Sequence, residues 1–347
     1  MTQRATLKTI AAKTGFSITT VSRALAGYND VAPSTQQTIL KTAEELGYYP
    51  NLTARQLQKQ RTDTVGLILP THGPRYSDPY FSSIIGGIGD ELAQHNIDLL
   101  LSTQPPGPNE LSAYRRMVEG GRVDGLIVIR TRKQDDRIAY LAETRFPFVV
   151  FGRSDLDIDF TYLDEDSEAG FYQLTTYLLS LGHKRIGFIS APRELMFADF
   201  RFAGYRHALQ DAGLSCDLRY VVIGDLTRKG GDRAARKLLN LSPRPTAIIA
   251  ANDLMALAAI SVAQEYGLEI GADLSVAGFD DISPSDIFSL TTLRQPTYDI
   301  GRKLSNLLYQ LIQGNHLEKR HILLKPELII RASTRPPRSE SERPVII

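Results

Sequence analysis

Two apolar rhythms divide the chain: helical spacing up to about residue 61, and from Thr64 onward short apolar runs separated by amphipathic stretches. In the first part Leu7, Ile10 and Ala11 share a helical face, and Gly15 follows Lys13 and Thr14 as a stop. Ser17 can cap a second helix that turns Val21 and Leu25 inward. Pro33 suits the first position of a third helix, Ile39, Leu40, Ala43 and Leu46 give it a core stripe, and Gly47 ends it. A three-helix unit results. Pro50 interrupts the chain after it, and residues 52–57 provide only about two helical turns, which fold only against a partner.

Beyond Thr64 the runs 65–69, 97–101, 123–129 and 148–151 read as buried parallel strands, with helices at about 80–95 and 110–120. A second half starts near Asp164 with a helix at 167–181, then strands at 186–190, 220–223, 247–250 and 274–278. Residues 291–296 and 323–330 read as returning strands around a helix at 298–312, so the chain passes between the halves three times. The pattern predicts an α/β protein: a helical head over 1–50, a linker over 51–63, a first lobe of 64–163 with 291–322, and a second of 164–290 with 323–334. The tail, 335–347, has three prolines and no apolar heptads, so it cannot form a tetramerising helix.

Composition adds bounds. A chain of 347 residues with 42% hydrophobic and 23% charged residues has ample core for two or three domains. There is neither an export leader nor a bilayer-length apolar run, so the protein is expected to stay in the cytoplasm. Its single cysteine, Cys216, can form neither an internal disulfide nor a thiolate cluster, and no cofactor or metal is expected. The net charge of +1 is unevenly spread: residues 1–61 carry eight Lys or Arg against Asp30, Glu44 and Glu45, giving +5 and leaving −4 for the rest. A basic head fits a nucleic-acid partner.

On the second helix the side chains that the core does not need are Ile18, Thr19, Thr20, Ser22 and Arg23. They combine an apolar contact for a thymine methyl, hydroxyls for phosphate and a guanidinium for guanine. Taken alone, the stretch fits both an ordinary helical hairpin and a helix-turn-helix. Three further runs decide between them. TVSRALAG (20–27), ELGYYPNLTARQL (45–57) and RTDTVGLILP (61–70) resemble, in order, the lactose and galactose repressor family (LacI/GalR). Ala32 and Thr9 stand where members often carry a better capping side chain.

The resemblance implies a homodimer on a pseudo-palindromic double-stranded operator. Ile18, Thr19 and Arg23 would contact bases, while Thr6, Ser17, Thr20, Ser22 and Asn51 would hold the backbone. Residues 52–57 would be a hinge helix whose Leu57, with Ala54, enters the minor groove. The two lobes with three crossovers resemble the periplasmic-binding-protein type I fold, with doubly wound parallel sheets and a small-molecule effector between them.

Ligands of open α/β sheets lie beyond the strand carboxyl ends, which here bring forward Asp78, Tyr80, Phe81, Arg153, Arg201, Asn252, Asp253 and Asp280. By motif, Arg201, Asn252, Asp280 and Gln295 match the family's hydrogen-bonding positions and Tyr80 and Phe81 its ring-stacking ones, whereas Leu226 stands where many members have an aromatic. Asn252 and Asp253 also fit as caps of the following helix and Arg201 could pair with an acidic neighbour such as Asp199; the cap is preferred for Asp253, and the ligand for Asp280 and Arg201. Asp and Arg together suit vicinal hydroxyls, which makes a carbohydrate the leading effector; a purine or nucleoside is the competitor. The FGRS run with Arg153 resembles α-glucoside regulators.

Other functions fit less well. The nearest approach to a dinucleotide fingerprint, Gly86-Gly87-Ile88-Gly89, lies inside a predicted helix and lacks the third glycine. Asp280-Asp281 has no second acid tied to it, as paired-carboxylate hydrolysis requires. An exported solute-binding protein would need a leader and no head. The sequence thus describes a regulator and not an enzyme.

Overall fold

The structure, a computed structural model, describes residues 5–48, 61–70 and 78–338. The chain divides into two units, 1–61 and 62–347. Asn51, Ala54 and Leu57 lie outside the described residues.

The first unit contains helices Leu7–Thr14, Ile18–Leu25 and Pro33–Glu45. Thr6 and Thr9 form a reciprocal capping box: the Thr6 hydroxyl accepts from the Thr9 backbone N–H, and the Thr9 hydroxyl from that of Thr6, each at 3.3 Å. Thr9 therefore caps effectively, whereas Ala32 offers no side-chain cap and Pro33 alone sets the entry to the third helix. Gly15 ends the first helix at φ 76°, a left-handed conformation that costs a glycine little. Ile10, Val21, Ala24 and Ile39 form the buried core. Leu40, expected within it, is 48% exposed, because one residue beyond Ile39 the helix has turned about 100° away from the core face.

Among the described residues the second unit holds two six-stranded sheets. The first runs β11-β5-β4-β3-β1-β2, from β1 (Thr64–Pro70), β2 (Asp98–Gln104), β3 (Gly125–Val128), β4 (Phe148–Phe151), β5 (Tyr162–Glu165) and β11 (His321–Leu324). The second runs β12-β10-β9-β8-β6-β7, from β6 (Ile186–Ser190), β7 (Val221–Ile223), β8 (Ala247–Ala250), β9 (Ser275–Asp280), β10 (Thr291–Arg294) and β12 (Glu327–Ile329). Among the described residues all strand pairings are parallel except that of β10 with β12. Central strands such as β3, β4 and β8 are buried throughout, as helices on both faces require.

Three placements differ from the sequence pattern. β10, expected with the first lobe, pairs with β9 in the second sheet, from Thr291 opposite Ala277 to Arg294 opposite Asp280. The single strand expected over 323–330 is two, β11 beside β5 and β12 beside β10, one in each sheet. β5 itself, in a segment that reads as the boundary between halves, pairs Tyr162 with His321. Strand-forming apolar runs carry no label for the sheet they join, since only pairing partners distinguish two similar sheets.

The predicted helix containing Gly86-Gly87-Ile88-Gly89 spans Pro79–Gln94. It packs against Thr297–Ile312 so closely that a Cβ on Gly87 would lie 2.0 Å from the Tyr298 carbonyl oxygen, and one on Gly301 2.3 Å from that of Ile84. In the second lobe, a Cβ on Gly204 would lie 2.1 Å from the Glu168 carbonyl oxygen, so helices Ser167–Ser180 and Met196–Asp211 meet the same way. These glycines serve helix contact rather than a phosphate.

Candidate functional site

Ile18 and Thr19 open the second helix and are exposed, Ile18 by 45% although it is apolar. Arg23, also exposed, leaves from its last turn; its Nε donates to Asp30 Oδ1 at 3.2 Å and its guanidinium lies 4.7 Å from the Tyr28 ring centroid. The guanidinium is thus oriented before any partner arrives. Thr6 and Ser17 are the N-caps of the first two helices, and Ser17 Oγ accepts from Thr20 N–H at 3.0 Å while meeting the Thr20 hydroxyl at 2.8 Å. Helix N-termini attract phosphate through their free N–H groups, so cap hydroxyls and anion contacts share one location. Ser22 is half-buried.

Between the two sheets of the second unit lies a cleft of about 620 Å³ including its open mouth. Every strand that reaches it does so by its carboxyl end. Asp78 follows β1, Arg130 and Thr131 follow β3, Arg153 follows β4 and Glu165 ends β5; from the other lobe come Leu226, Asn252 and Asp280, with Phe197 and Arg201 on the helix after β6.

Arg201 is the centre of the second lobe's wall. Its guanidinium is held between the rings of Phe279 and Phe197, at 3.9 and 4.4 Å from their centroids. Nη1 donates to the Ala251 carbonyl and Nε to Ser167 Oγ at 3.4 Å, while Nη2 faces Glu165 of the first lobe at 3.6 Å. The alternative pairing of Arg201 with Asp199 does not form: Asp199 meets Lys133 at 2.6 Å. Arg153 donates through Nε to Asp164 Oδ2 at 2.7 Å and stacks at 3.9 Å over Phe200 of the opposite lobe.

Asp280 ends β9 at φ 122° and Asp281 follows at 55°, conformations that cost a non-glycine residue on the order of 1–3 kcal/mol. The turn sends the two carboxyls apart. Asp281 pairs with Arg294 at 2.7 Å and Arg331 at 2.8 Å, whereas Asp280 faces the cleft and accepts from Gln295 Nε2 at 2.6 Å. Gln295 is buried behind Asp280 and does not line the cleft; its Oε1 has no partner among the described residues. Asn252 is the true cap of helix Asp253–Glu265, accepting from Met255 N–H at 3.2 Å, and its Nδ2 donates to the Leu226 carbonyl at 3.3 Å. Asp253, expected as that cap, is fully buried one residue on. There it accepts from Ser285, Thr292 and the Ile282 N–H, tying the helix to β10, and burial pushes its carboxyl up to about 7.

Asp78 caps helix Pro79–Gln94 by accepting from Tyr80 N–H at 3.1 Å, and both line the cleft. Phe81 does not. It lies in the first lobe's core, where its ring supports the Arg130 guanidinium at 4.7 Å, because one residue past Tyr80 the helix faces β1. Arg130, Asp164, Glu165 and Phe197 were missed from the sequence. Arg130 sits directly after a recognised strand and was findable by that rule; Asp164 and Glu165 were hidden by the unrecognised β5. Burial pushes the carboxyls of Asp164, Glu165 and Asp280 upward, with Arg153 opposing for Asp164 and Arg201 for the other two. Carboxyls drawn towards the neutral form both donate and accept, which suits a ligand rich in hydroxyls.

Residues 62–332 match the family model of periplasmic binding proteins and the sugar-binding domain of the LacI family, and residues 6–51 match that of bacterial regulatory proteins of the lacI family. The regulator CelR of Thermobifida fusca is 34% identical over 95% of this chain and 98% of its own. The solved complex of CelR with cellobiose superposes with a TM-score of 0.73 at 32% identity, covering 95% of this chain and all of that one. The lac repressor dimer bound to operator and the anti-inducer ONPF superposes with a TM-score of 0.85 at 28% identity, over 96% and 100% of the two chains.

Proposed function

Because the chain belongs to the lacI family of bacterial regulatory proteins, we propose that it is a DNA-binding transcriptional regulator whose operator affinity is set by a carbohydrate held between its lobes. The observation that carries the effector side is the cleft itself. Carboxyls and guanidiniums from both sheets converge on it, Asp78, Asp164, Glu165, Arg130 and Arg153 from one and Arg201 and Asp280 from the other. Vicinal hydroxyls meet both kinds of group at once. With Phe81 in the core, the rings that line the cleft are those of Tyr80, Phe151 and Phe197, which can flank a sugar. The CelR relative solved with cellobiose supports the same class. No helix among the described residues is long and apolar enough to cross a membrane.

The regulatory logic rests on the two-lobed site. An effector touching both lobes favours one relative orientation only if it binds that orientation more tightly. In this reading that orientation governs whether residues 52–57, too short to persist alone, fold against a second copy on DNA. A dimer is part of the reading, since one short reading helix buries too little surface to be selective. The exposed apolar pair Ile287, at 79%, and Phe288 lies just beyond Asp280 and is a candidate surface for the second copy.

The test is a mobility-shift assay of the full chain on fragments from its own locus, with and without a panel of sugars including cellobiose, and with nucleosides. A salt-sensitive specific complex that a sugar strengthens or releases is the expected outcome. A complex answering only to nucleosides would replace the carbohydrate, and no specific complex at all would remove the DNA-binding reading.

A further inference from the structure

Glu165 is a polar group of the cleft with little support. It ends β5, is 4% exposed, and its Oε1 has no hydrogen-bond partner among the described residues. Its Oε2 lies 3.6 Å from Arg201, an ion pair beyond hydrogen-bond range, and that guanidinium already donates to Ala251 and Ser167. The surroundings add negative charge. Asp164 is its neighbour on β5 and is engaged by Arg153; Asp280 approaches from β9 and Tyr80 from helix Pro79–Gln94, while Asp78 and Arg130 stand further round the wall. A carboxylate buried without hydrogen bonds and facing other carboxylates is costly, and taking up a proton relieves that cost.

The cluster spans the lobes. Glu165 belongs to the first sheet, Arg201 and Asp280 to the second lobe, and the lobes also touch where Lys133 meets Asp199 and Met196 N–H donates to the Thr131 carbonyl at 3.0 Å. Opening the cleft would return Glu165 to water. We propose that Glu165 is the proton-binding residue of the cleft: closing the lobes over it takes up a proton, so that closure, and any effector response built on it, is favoured by acid. The last clause rests on the cleft being the effector site; the proton uptake does not.

The sign and window are set by the environment. Burial pushes the carboxyl up to about 8, Arg201 opposing and Asp164 adding, against about 4.3 for glutamate in water. Below about 4.3 both open and closed forms hold the proton. Between that value and about 8 only the closed form does, and closure weakens by up to about tenfold for each unit of pH. Above the window both are ionised and the dependence levels off.

The experiment uses the full chain without any effector. Melting temperatures of the parent and Glu165→Gln are followed from about pH 5 to about pH 9, bracketing the window. The variant should gain on the parent steadily as pH rises and the difference should become constant at the alkaline end; an offset that is the same at every pH would overturn the proposal. Should the variant fail to fold, carbon-13 labelling of glutamate carboxyls in the parent decides. One resonance should titrate near or above neutrality, and titration of every glutamate in the ordinary range would overturn it. A separate titration of the parent with cellobiose and other sugars keeps the two ideas apart, since absent sugar binding beside a high-titrating glutamate removes the effector class and leaves the proton site standing.

Discussion

Arg23 and Arg201 show how much a side chain's neighbours decide about its use. Arg23 is held by Asp30 and Tyr28 yet remains exposed, so a base must displace only one surface ion pair to engage it. Arg23→Ala should cost about 1–3 kcal/mol at one operator position, as for loss of a bidentate base contact. Binding measured on a set of single-position operator variants tests this, and uniform weakening on all of them would make Arg23 a phosphate contact. Arg201 is locked between two rings with its edges engaged, and Asp280 is backed by Gln295. Hydrogen bonds to charged groups carry about 1.5–3 kcal/mol and neutral ones about 0.5–1.5 kcal/mol, so Arg201→Ala should shift the effector midpoint at least about tenfold and Asp280→Ala about two- to tenfold, while operator binding persists. Unchanged midpoints in both variants would move the pocket elsewhere.

Elements are positioned here by close backbone approach. The helix pair Pro79–Gln94 and Thr297–Ile312 meets at Gly87 and Gly301, where any Cβ collides with a carbonyl oxygen. Gly87→Ala should therefore destabilise by about 1–3 kcal/mol, the usual cost of overpacking. Gly89→Ala, two residues on with nothing within 4 Å of its added carbon, should be neutral or stabilise by up to about 1 kcal/mol through helix propensity. Denaturant unfolding of the two variants measures the contrast; equal effects would refute the contact argument. The hinge segment makes a different kind of prediction. Leu57→Ala should weaken specific operator binding and leave effector affinity unchanged, since an apolar wedge acts only on bent DNA. A variant that bends and binds the operator like the parent would refute the wedge.

At the scale of the whole molecule, function requires that the lobes and the DNA-binding head share one free-energy balance. Coupling of about 1–3 kcal/mol between effector and operator gives roughly 5–150-fold regulation. The same mobility-shift assay run at several effector concentrations should show that change saturating, and an operator affinity that never moves would separate the cleft from the head. The tail's three prolines and absence of heptads predict a dimer with no further association, which sedimentation across concentration checks; a tetramer stable to dilution would contradict it.

How much the sequence disclosed depends on how local each feature is. Helix ends, the reading helix and the α/β alternation were legible, because caps such as Ser17, stops such as Gly15 and apolar runs such as those of β3 and β8 act within a few residues of themselves. Resemblance in three short runs supplied the family. The features that stayed hidden depended on partners distant in the chain. β10 joined the second sheet and β11 the first through pairing, and Asp253 left its expected cap to join β10. Phe81 turned into the core, and Glu165, on a strand that periodicity did not mark, came to face Arg201 across the cleft. A sequence states which residues are apolar, charged or turn-forming; which two of them meet, and in how little water, is fixed only when the lobes close around them.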